Sequence, residues 1–494
     1  MSHHDIAAKL LAVTTAAAAT ALVAGCAVGP DFKSPAAPQT DRYTAEPLAA
    51  ATASTPVGGG ESQAFAIGKQ LPARWWTLFQ SDALNRLVDE SFNGSPTVAA
   101  AEATLRQARE NMTATNAELL PSVDGTASAT RQKISGAQFH GSPNIFSLFD
   151  ASVGVSYGID LFGGARRAAE AQQAMVEYQR FELQAAYQTL AANVVNAAVA
   201  EASLRAQVAA TEDIVAALQH QMDITEKQYV LGGAAYSDVL SARSNLATQQ
   251  ASLPTLSKQL EQTRHRLAVY LGKLPSEFTA QQFDIADLKL PRELPVTVPS
   301  ELVRQRPDVR AAEAQMHQAA ANVGVATAEM LPRISISGNF GDEAAKVGDL
   351  LSSGIWNVGA NVTQPIFHGG ELRAKRRAAA DVYDIATAQY RQTVLSSFAD
   401  VADALRALEA DASAFNAQYT ASTSAEASLR LVEKQYALGA VSYLNLLTAQ
   451  KQYQQAHIGY VQALASRYQD TVALFQALGG DWSEAPASTV AADH

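Results

Sequence analysis

The stretch EKQYVLGGAAYSDVLSA, residues 226–242, decides the fold because a second copy, EKQYALGAVSYLNLLTA, stands at 433–449. At a constant offset of 207, Glu226, Lys227, Gln228, Tyr229, Leu231 and Gly232 meet Glu433, Lys434, Gln435, Tyr436, Leu438 and Gly439. The match resumes at Tyr236/Tyr443, Leu240/Leu447 and Ala242/Ala449, and closes with LAVYLG (267–272) against LFQALG (474–479). An ungapped register of this length reads as an internal duplication. Each copy has the pattern of the far end of a helical hairpin, with Leu-Gly at its turn.

The helix before the first turn carries a heptad seam. Val176, Leu183, Leu190, Ala197, Leu204, Thr211, Leu218 and Thr225 recur every seven residues, and Tyr187, Val194, Glu201, Val208, Val215, Met222 and Tyr229 follow four places on. About six such heptads, with one Glu in the seam, argue for coiled-coil packing. Val394, Val401, Leu408, Phe415, Ser422, Leu429 and Tyr436 hold the matching row in the second copy. No Pro or Gly interrupts 166–231 or 372–438. At 1.5 Å per residue each predicts a helix roughly 100 Å long. A filamentous coiled coil is the alternative on this pattern alone.

A second repeat has a different offset, 211. SPTVAAAEATLRQA at 95–108 matches RPDVRAAEAQMHQA at 306–319, and each copy runs on to a proline, Pro121 or Pro332. Helices end before such prolines for steric reasons. After each proline the period switches to two. Val123, Gly125, Ala127 and Ala129 alternate with Asp124, Thr126, Ser128 and Thr130; Ala151, Val153, Val155, Tyr157 and Ile159 alternate with small polar residues. Ile334 and Ile336, then Trp356, Val358, Ala360 and Val362, repeat the pattern in the second half. Strands of about ten residues with one apolar and one small-polar face suit a transmembrane barrel with a wet lumen, or a soluble sandwich. Four strands do not close a barrel, since the smallest have about eight. They must be shared between chains, and two, three or four copies all remain open.

The N-terminus tips the choice toward the membrane. Lys9 precedes an apolar, Ala-rich run to Val23, and Val-Ala-Gly leads to Cys26, the chain's one cysteine. This reads as a signal peptide (1–25) whose cleavage frees Cys26 for lipid attachment. Residues 26–71, rich in Pro, Ala, Thr and Gly, read as an extended, lipidated tether. The formal charge of −11 argues against a nucleic-acid partner. Beyond the leader no run of about 20 apolar residues predicts a transmembrane helix. No nucleophile–base set, metal cluster or phosphate loop stands out, so neither an enzyme nor a cofactor is expected. Gly163-Gly164 and Gly369-Gly370 follow strands and read as turns. Arg166, Arg167, Arg373, Lys375, Arg376 and Arg377 cluster after them. They read equally as a solvated face or as a contact for anionic head groups.

CAVGPDFKSP (26–35), YGIDLFGG (157–164), RQRPDVRAAE (304–313) and the two Leu-Gly turns together resemble one family, the TolC/OprM-like outer membrane factors, in the lipoprotein branch called NodT. The resemblance implies a homotrimer in the outer membrane of a Gram-negative bacterium. Each chain gives four strands to a 12-strand β-barrel continuous with a periplasmic α-helical barrel, an α+β membrane protein. It implies the exit duct of a tripartite efflux pump, with a periplasmic adaptor (membrane fusion) protein and an inner-membrane transporter of the RND type as partners. A protein-secretion duct and a non-conducting coiled-coil lipoprotein are the alternatives. The expected plan is equatorial segments at 72–94, 273–299 and 480–494 around two structural repeats, 95–272 and 300–479. The tips Leu231-Gly232-Gly233 and Leu438-Gly439-Ala440 are the expected adaptor contacts. Tyr443, Leu444 and Asn445 are the expected gate, neutral where better-known members are acidic. Asp238 is expected to bond a neighbouring helix or cap its own.

Overall fold

The computed structural model describes residues 27–134, 144–279, 284–350 and 352–480. Cys26, the leader and residues 481–494 of the expected tail lie outside them. The chain divides into two compact units.

The first unit comprises Met1–Pro35, Thr104–Arg180 and Ala311–Arg391. Its centre is an antiparallel sheet of four strands in the order Ser122–Ile134, Asn144–Ile159, Arg333–Ala344 and Gly354–Thr363. The alternation fixes the register, because a slip of one residue would turn every side chain to the wrong face. Gly125, Val153, Phe340 and Trp356 lie opposite one another across the four strands, as do Val123, Val155, Gly338 and Val358. Asp124, Gly154, Asn339 and Asn357 form a row on the other face. There the hydroxyls of Ser122 and Ser156 bond at 2.8 Å and those of Thr126 and Ser152 at 2.9 Å. The apolar face is uncovered, with Trp356 74% exposed. Among the described residues the outer edges of the first and last strands pair with nothing.

The second unit comprises Ala36–Ala103, Phe181–Arg310 and Gln392–His494. Two 67-residue helices, Gly164–Val230 and Glu371–Ala437, contribute most of their length to it. Each is followed by a helix of about half the length, Tyr236–Tyr270 and Tyr443–Leu478. No described helix is long and apolar enough to cross a membrane. The heptad seam packs as its period requires, with Leu190, Val194, Ala197, Val401 and Leu408 in one buried core. Trp75, Trp76 and Phe79 of the short turn Trp75–Phe79 join that core, and Phe475 packs against Trp75 with ring centroids 5.6 Å apart.

The RPD motif explains itself here. Arg306 bonds Asp308 at 2.9 Å, the carbonyl of Ala477 at 2.9 Å and that of Ser397 at 3.2 Å, and also pairs with Asp400. It thereby ties a helix start to two helices distant in sequence.

One expectation fails. Residues 36–71 are not an extended tether. Ala64–Ile67 pairs in parallel with Glu293–Val296, and Thr52, Thr55 and Gln63 are buried. Arg467, 1% exposed, donates to the carbonyls of Gly59 at 2.6 Å and Glu61 at 2.9 Å. Composition misjudged the segment because what holds it lies far away in sequence: Tyr43 donates to Thr297 O at 2.6 Å, Gln63 Nε2 donates to Pro291 O at 3.2 Å, and Leu71 is buried in the core. A buried guanidinium must be hydrogen-bonded, and the carbonyls of Gly59 and Glu61 meet that need.

Candidate functional site

The two tips share one backbone solution. After Gly164–Val230 the N–H of Gly232 donates to Tyr229 O at 2.9 Å and that of Gly233 to Gln228 O at 2.7 Å. After Glu371–Ala437 the N–H of Gly439 donates to Tyr436 O at 2.9 Å and that of Ala440 to Gln435 O at 2.8 Å. This paired arrangement closes a helix through a left-handed residue, and Gly supplies it at φ 80° (Gly232) and 72° (Gly439). Beside these glycines Leu231 and Leu438 are 85% and 84% exposed, so each tip presents an apolar side chain with no cover of its own.

The helix starts beyond the turns are not alike. Asp238 accepts the backbone N–H of Ala235 at 3.3 Å and so caps the helix it begins. The second helix starts from Ser442, whose side chain makes no cap bond, and Asn445, the counterpart of Asp238, is exposed. Of the three expected gate residues the structure separates one. Tyr443 is 5% exposed and packs with Ala242 and Leu446, against Met222 and Leu429. Burial, then neighbouring Tyr436 and Asp238, push its phenol up to about 12. Leu444 is 67% exposed, so it and Asn445 are the side chains free to line an opening. Tyr436 donates to Gln228 Oε1 at 3.2 Å, tying the two hairpins together just behind the tips.

The basic cluster is also divided. Arg166 pairs with Asp160 at 3.2 Å and Lys375 with Glu371 at 2.7 Å. Arg167 is buried and bonds Asp31, Glu170 and the carbonyl of Val28. Arg373, Arg376 and Arg377 are exposed.

One functional-looking group escaped the sequence reading. Asp411 is half-buried near Asp470 and Arg467, and burial, then Asp470, push it up to about 7. Two isolated Asp on separate helices carry no local pattern that would have revealed the pair. Among the described residues no cluster fit to hold a metal occurs.

An amphipathic four-strand sheet with open edges, joined in one chain to long helical hairpins, defines a class of membrane duct. The profile of the outer membrane efflux protein family matches residues 87–273 and again 298–480. The chain belongs to that family, the outer membrane channels of efflux pumps, which are transport ducts rather than catalysts. It is 30% identical over 434 residues to the pyoverdine export outer membrane protein OpmQ of Pseudomonas putida, covering 86% of this chain and 92% of that one. It is 27% identical over 416 residues to nodulation protein T of Rhizobium leguminosarum bv. viciae, covering 83% of this chain and 81% of that one. The outer-membrane channel OprN superposes with a TM-score of 0.82 at 29% identity, over 92% of this chain and all of the other. The Campylobacter jejuni CmeC channel, at 21% identity, covers 93% of this chain and 96% of its own, and shares the fold with a TM-score of 0.82.

Proposed function

We propose that three copies of this chain form the exit duct of a tripartite efflux pump, a twelve-strand barrel in the outer membrane with a helical tunnel in the periplasm. The supporting observation is the sheet, apolar on one face, polar on the other and open at both edges. Open edges in lipid would leave backbone groups unpaired at several kcal/mol each. Joining three sheets edge to edge satisfies those groups, turns Trp356 and Val358 to lipid and gives Asn339 and Asn357 an aqueous lumen. The twice-matched family profile and the two identical turns support an internal duplication as the origin of the chain.

In this reading the cargo is small molecules expelled by an inner-membrane transporter of the RND type. The exposed tips at Leu231–Gly233 and Leu438–Ala440 meet a periplasmic adaptor. Acylation of Cys26 anchors the chain to the outer membrane. The constriction is a threefold ring of Leu444 and Asn445, closed by bulk and neutral hydrogen bonds. Symmetry averaging of detergent-purified protein tests the assembly: threefold order together with conductance in planar bilayers is expected. A stable monomeric barrel, or an oligomer without conductance, overturns it.

A further inference from the structure

The two turns that lead from a strand of the sheet into a long helix are duplicates with unlike surroundings. At the offset of 207, residues 159–170 correspond to 366–377. In the first copy the chain supplies its own cover. The N–H of Val28 donates to Phe162 O at 3.0 Å, and a Cβ on Gly163 would stand 2.6 Å from Ala27 Cα. The chain also supplies its own anion there. Asp160 accepts the backbone N–H groups of Ala165 at 3.2 Å and Arg166 at 3.0 Å, and Arg166 Nε at 3.2 Å. Glu170 bonds Arg167 at 2.7 Å, so two carboxylates in this copy balance two cations.

The second copy lacks both. Ile366 and Phe367 are 94% and 86% exposed, and a Cβ on Gly370, the counterpart of Gly163, would meet open space. Asp160 is matched by Phe367 and Glu170 by Arg377. Among the described residues the backbone N–H groups of Leu372 and Arg373 find no acceptor. Four cations, Arg373, Lys375, Arg376 and Arg377, stand against one carboxylate, Glu371. Lys375 takes that carboxylate at 2.7 Å, while Glu329 and Arg333 act on Lys375 in opposite directions. Arg373, Arg376 and Arg377 are exposed and share one face, because residues three and four apart are neighbours on a helix. Among the described residues no carboxylate pairs with any of the three. Cations in a helix's first turns oppose the macrodipole, so this group needs an anion beside it. A groove of about 320 Å³ joins the two surfaces, with Pro365, Ile366, Phe367 and Leu372 on one side and Arg373 on the other; His368 and the paired Glu371 also border it.

We propose that this second turn is a docking surface for anionic phospholipid in the periplasmic leaflet of the outer membrane. Phosphates meet Arg373, Arg376 and Arg377, and Ile366 and Phe367 enter among the acyl chains. Guanidinium groups bond phosphate through two N–H donors at once, and each cation beside an anionic leaflet adds to the attraction. Zwitterionic lipid has no net charge to offset the three arginines. The order along the chain agrees. The strand Gly354–Thr363 exposes Trp356, Val358 and Val362, Ile366 follows three residues after its end, and the arginines come next. Apolar surface is thus succeeded by cationic surface, as acyl chains are by head groups. A second copy of the chain would have to bring carboxylates to that face, whereas a leaflet offers phosphates in any register. The first turn is covered and balanced in charge, so each chain carries one such surface. The inference rests on the proposed barrel.

The test begins with the full-length protein carrying p-benzoylphenylalanine in place of Ile366, irradiated in native outer membrane. An adduct of phospholipid mass is expected; a covalent product of two chains instead gives the turn to a neighbouring copy and overturns the proposal. Native mass spectrometry of the purified protein with dioleoyl phosphatidylglycerol, dioleoyl phosphatidylcholine or inorganic phosphate then reads the head-group preference. Phosphatidylglycerol should bind severalfold more tightly than phosphatidylcholine. Arg373→Gln, Arg376→Gln and Arg377→Gln together should remove that preference. Arg391→Gln, exposed on the same helix about 21 Å beyond Arg377, should retain it. Equal binding of the two lipids, a preference that survives the triple variant, or displacement of the lipid by an equal concentration of inorganic phosphate overturns the proposal. Conductance of the same preparation in planar bilayers separates it from the duct reading. A protein that conducts without the lipid preference loses this inference alone, and one that neither inserts nor conducts loses both.

Discussion

The two hairpin tips share their turns and differ in the helix starts beyond them. Gly232 and Gly439 make the same pair of bonds at the same offset, yet Asp238 caps one helix where Asn445 leaves the other start open. A turn that needs a left-handed residue admits few substitutes, whereas a cap worth a fraction of a kcal/mol can be exchanged. The constrained part of each tip is its backbone, and the side chains just beyond it are free to diverge. Divergence at the tips is therefore expected in the helix starts and not in the turns.

The strongest way to break the comparison is to replace both glycines. Gly232→Leu with Gly439→Leu puts two L-residues where the left-handed backbone costs each about 1–2 kcal/mol. Transport measured as drug susceptibility in cells should be abolished, while trimer yield and outer-membrane insertion are unchanged. Transport at the unaltered level would show that the turns only close the hairpins.

Next in size is the tyrosine pair. Tyr443→Ala removes a buried ring and should destabilise its hairpin by about 3–5 kcal/mol, the usual range for a buried aromatic. Tyr236→Ala, at the half-exposed counterpart, should cost far less. Amide exchange in the two hairpins measures both, and equal losses would erase the asymmetry.

Leu444→Ala should raise single-channel conductance without the loss of stability expected for Tyr443→Ala. Asp238→Ala gives up one cap bond, about 0.3–1 kcal/mol, and should leave conductance nearly as it was. A larger conductance gain from Asp238→Ala than from Leu444→Ala would make the gate electrostatic.

The smallest effect lies away from the tips. Asp411 is pushed up to about 7 by burial and by Asp470, so the folded chain holds a proton there that an unfolded carboxyl releases near its ordinary value. Because the folded state binds more protons, the stability from this group is full in acid and declines as the pH rises toward about 7. Asp411→Asn should flatten that decline and raise the thermal midpoint near neutral pH by about 2 °C. A steeper decline in the variant would mean that the carboxylate is needed in its charged form.

Much of this molecule is written in its local pattern. The runs free of Pro and Gly place both long helices within two residues of their observed ends, and the heptads mark the seam they bury, because a period of 3.5 keeps one face toward its partner. The period of two predicts the sheet's faces, because strand side chains alternate by geometry. The two Leu-Gly turns are legible because glycine is the residue their φ demands. What tertiary structure alone decided is which polar groups meet. Arg467 and Arg167 look like ordinary surface cations in the sequence, yet one binds Gly59 and Glu61 and the other Val28 and Asp31. Their partners lie more than 130 positions away, and a backbone carbonyl looks the same in every residue. Tyr443 likewise shares a tip with Leu444, and only the packing of four helices turns its ring inward while Leu444 points out. Periodicity determines which face a residue occupies, whereas its partner is set by the burial of a charge or ring that must be satisfied wherever the chain happens to bring a donor, an acceptor or a gap.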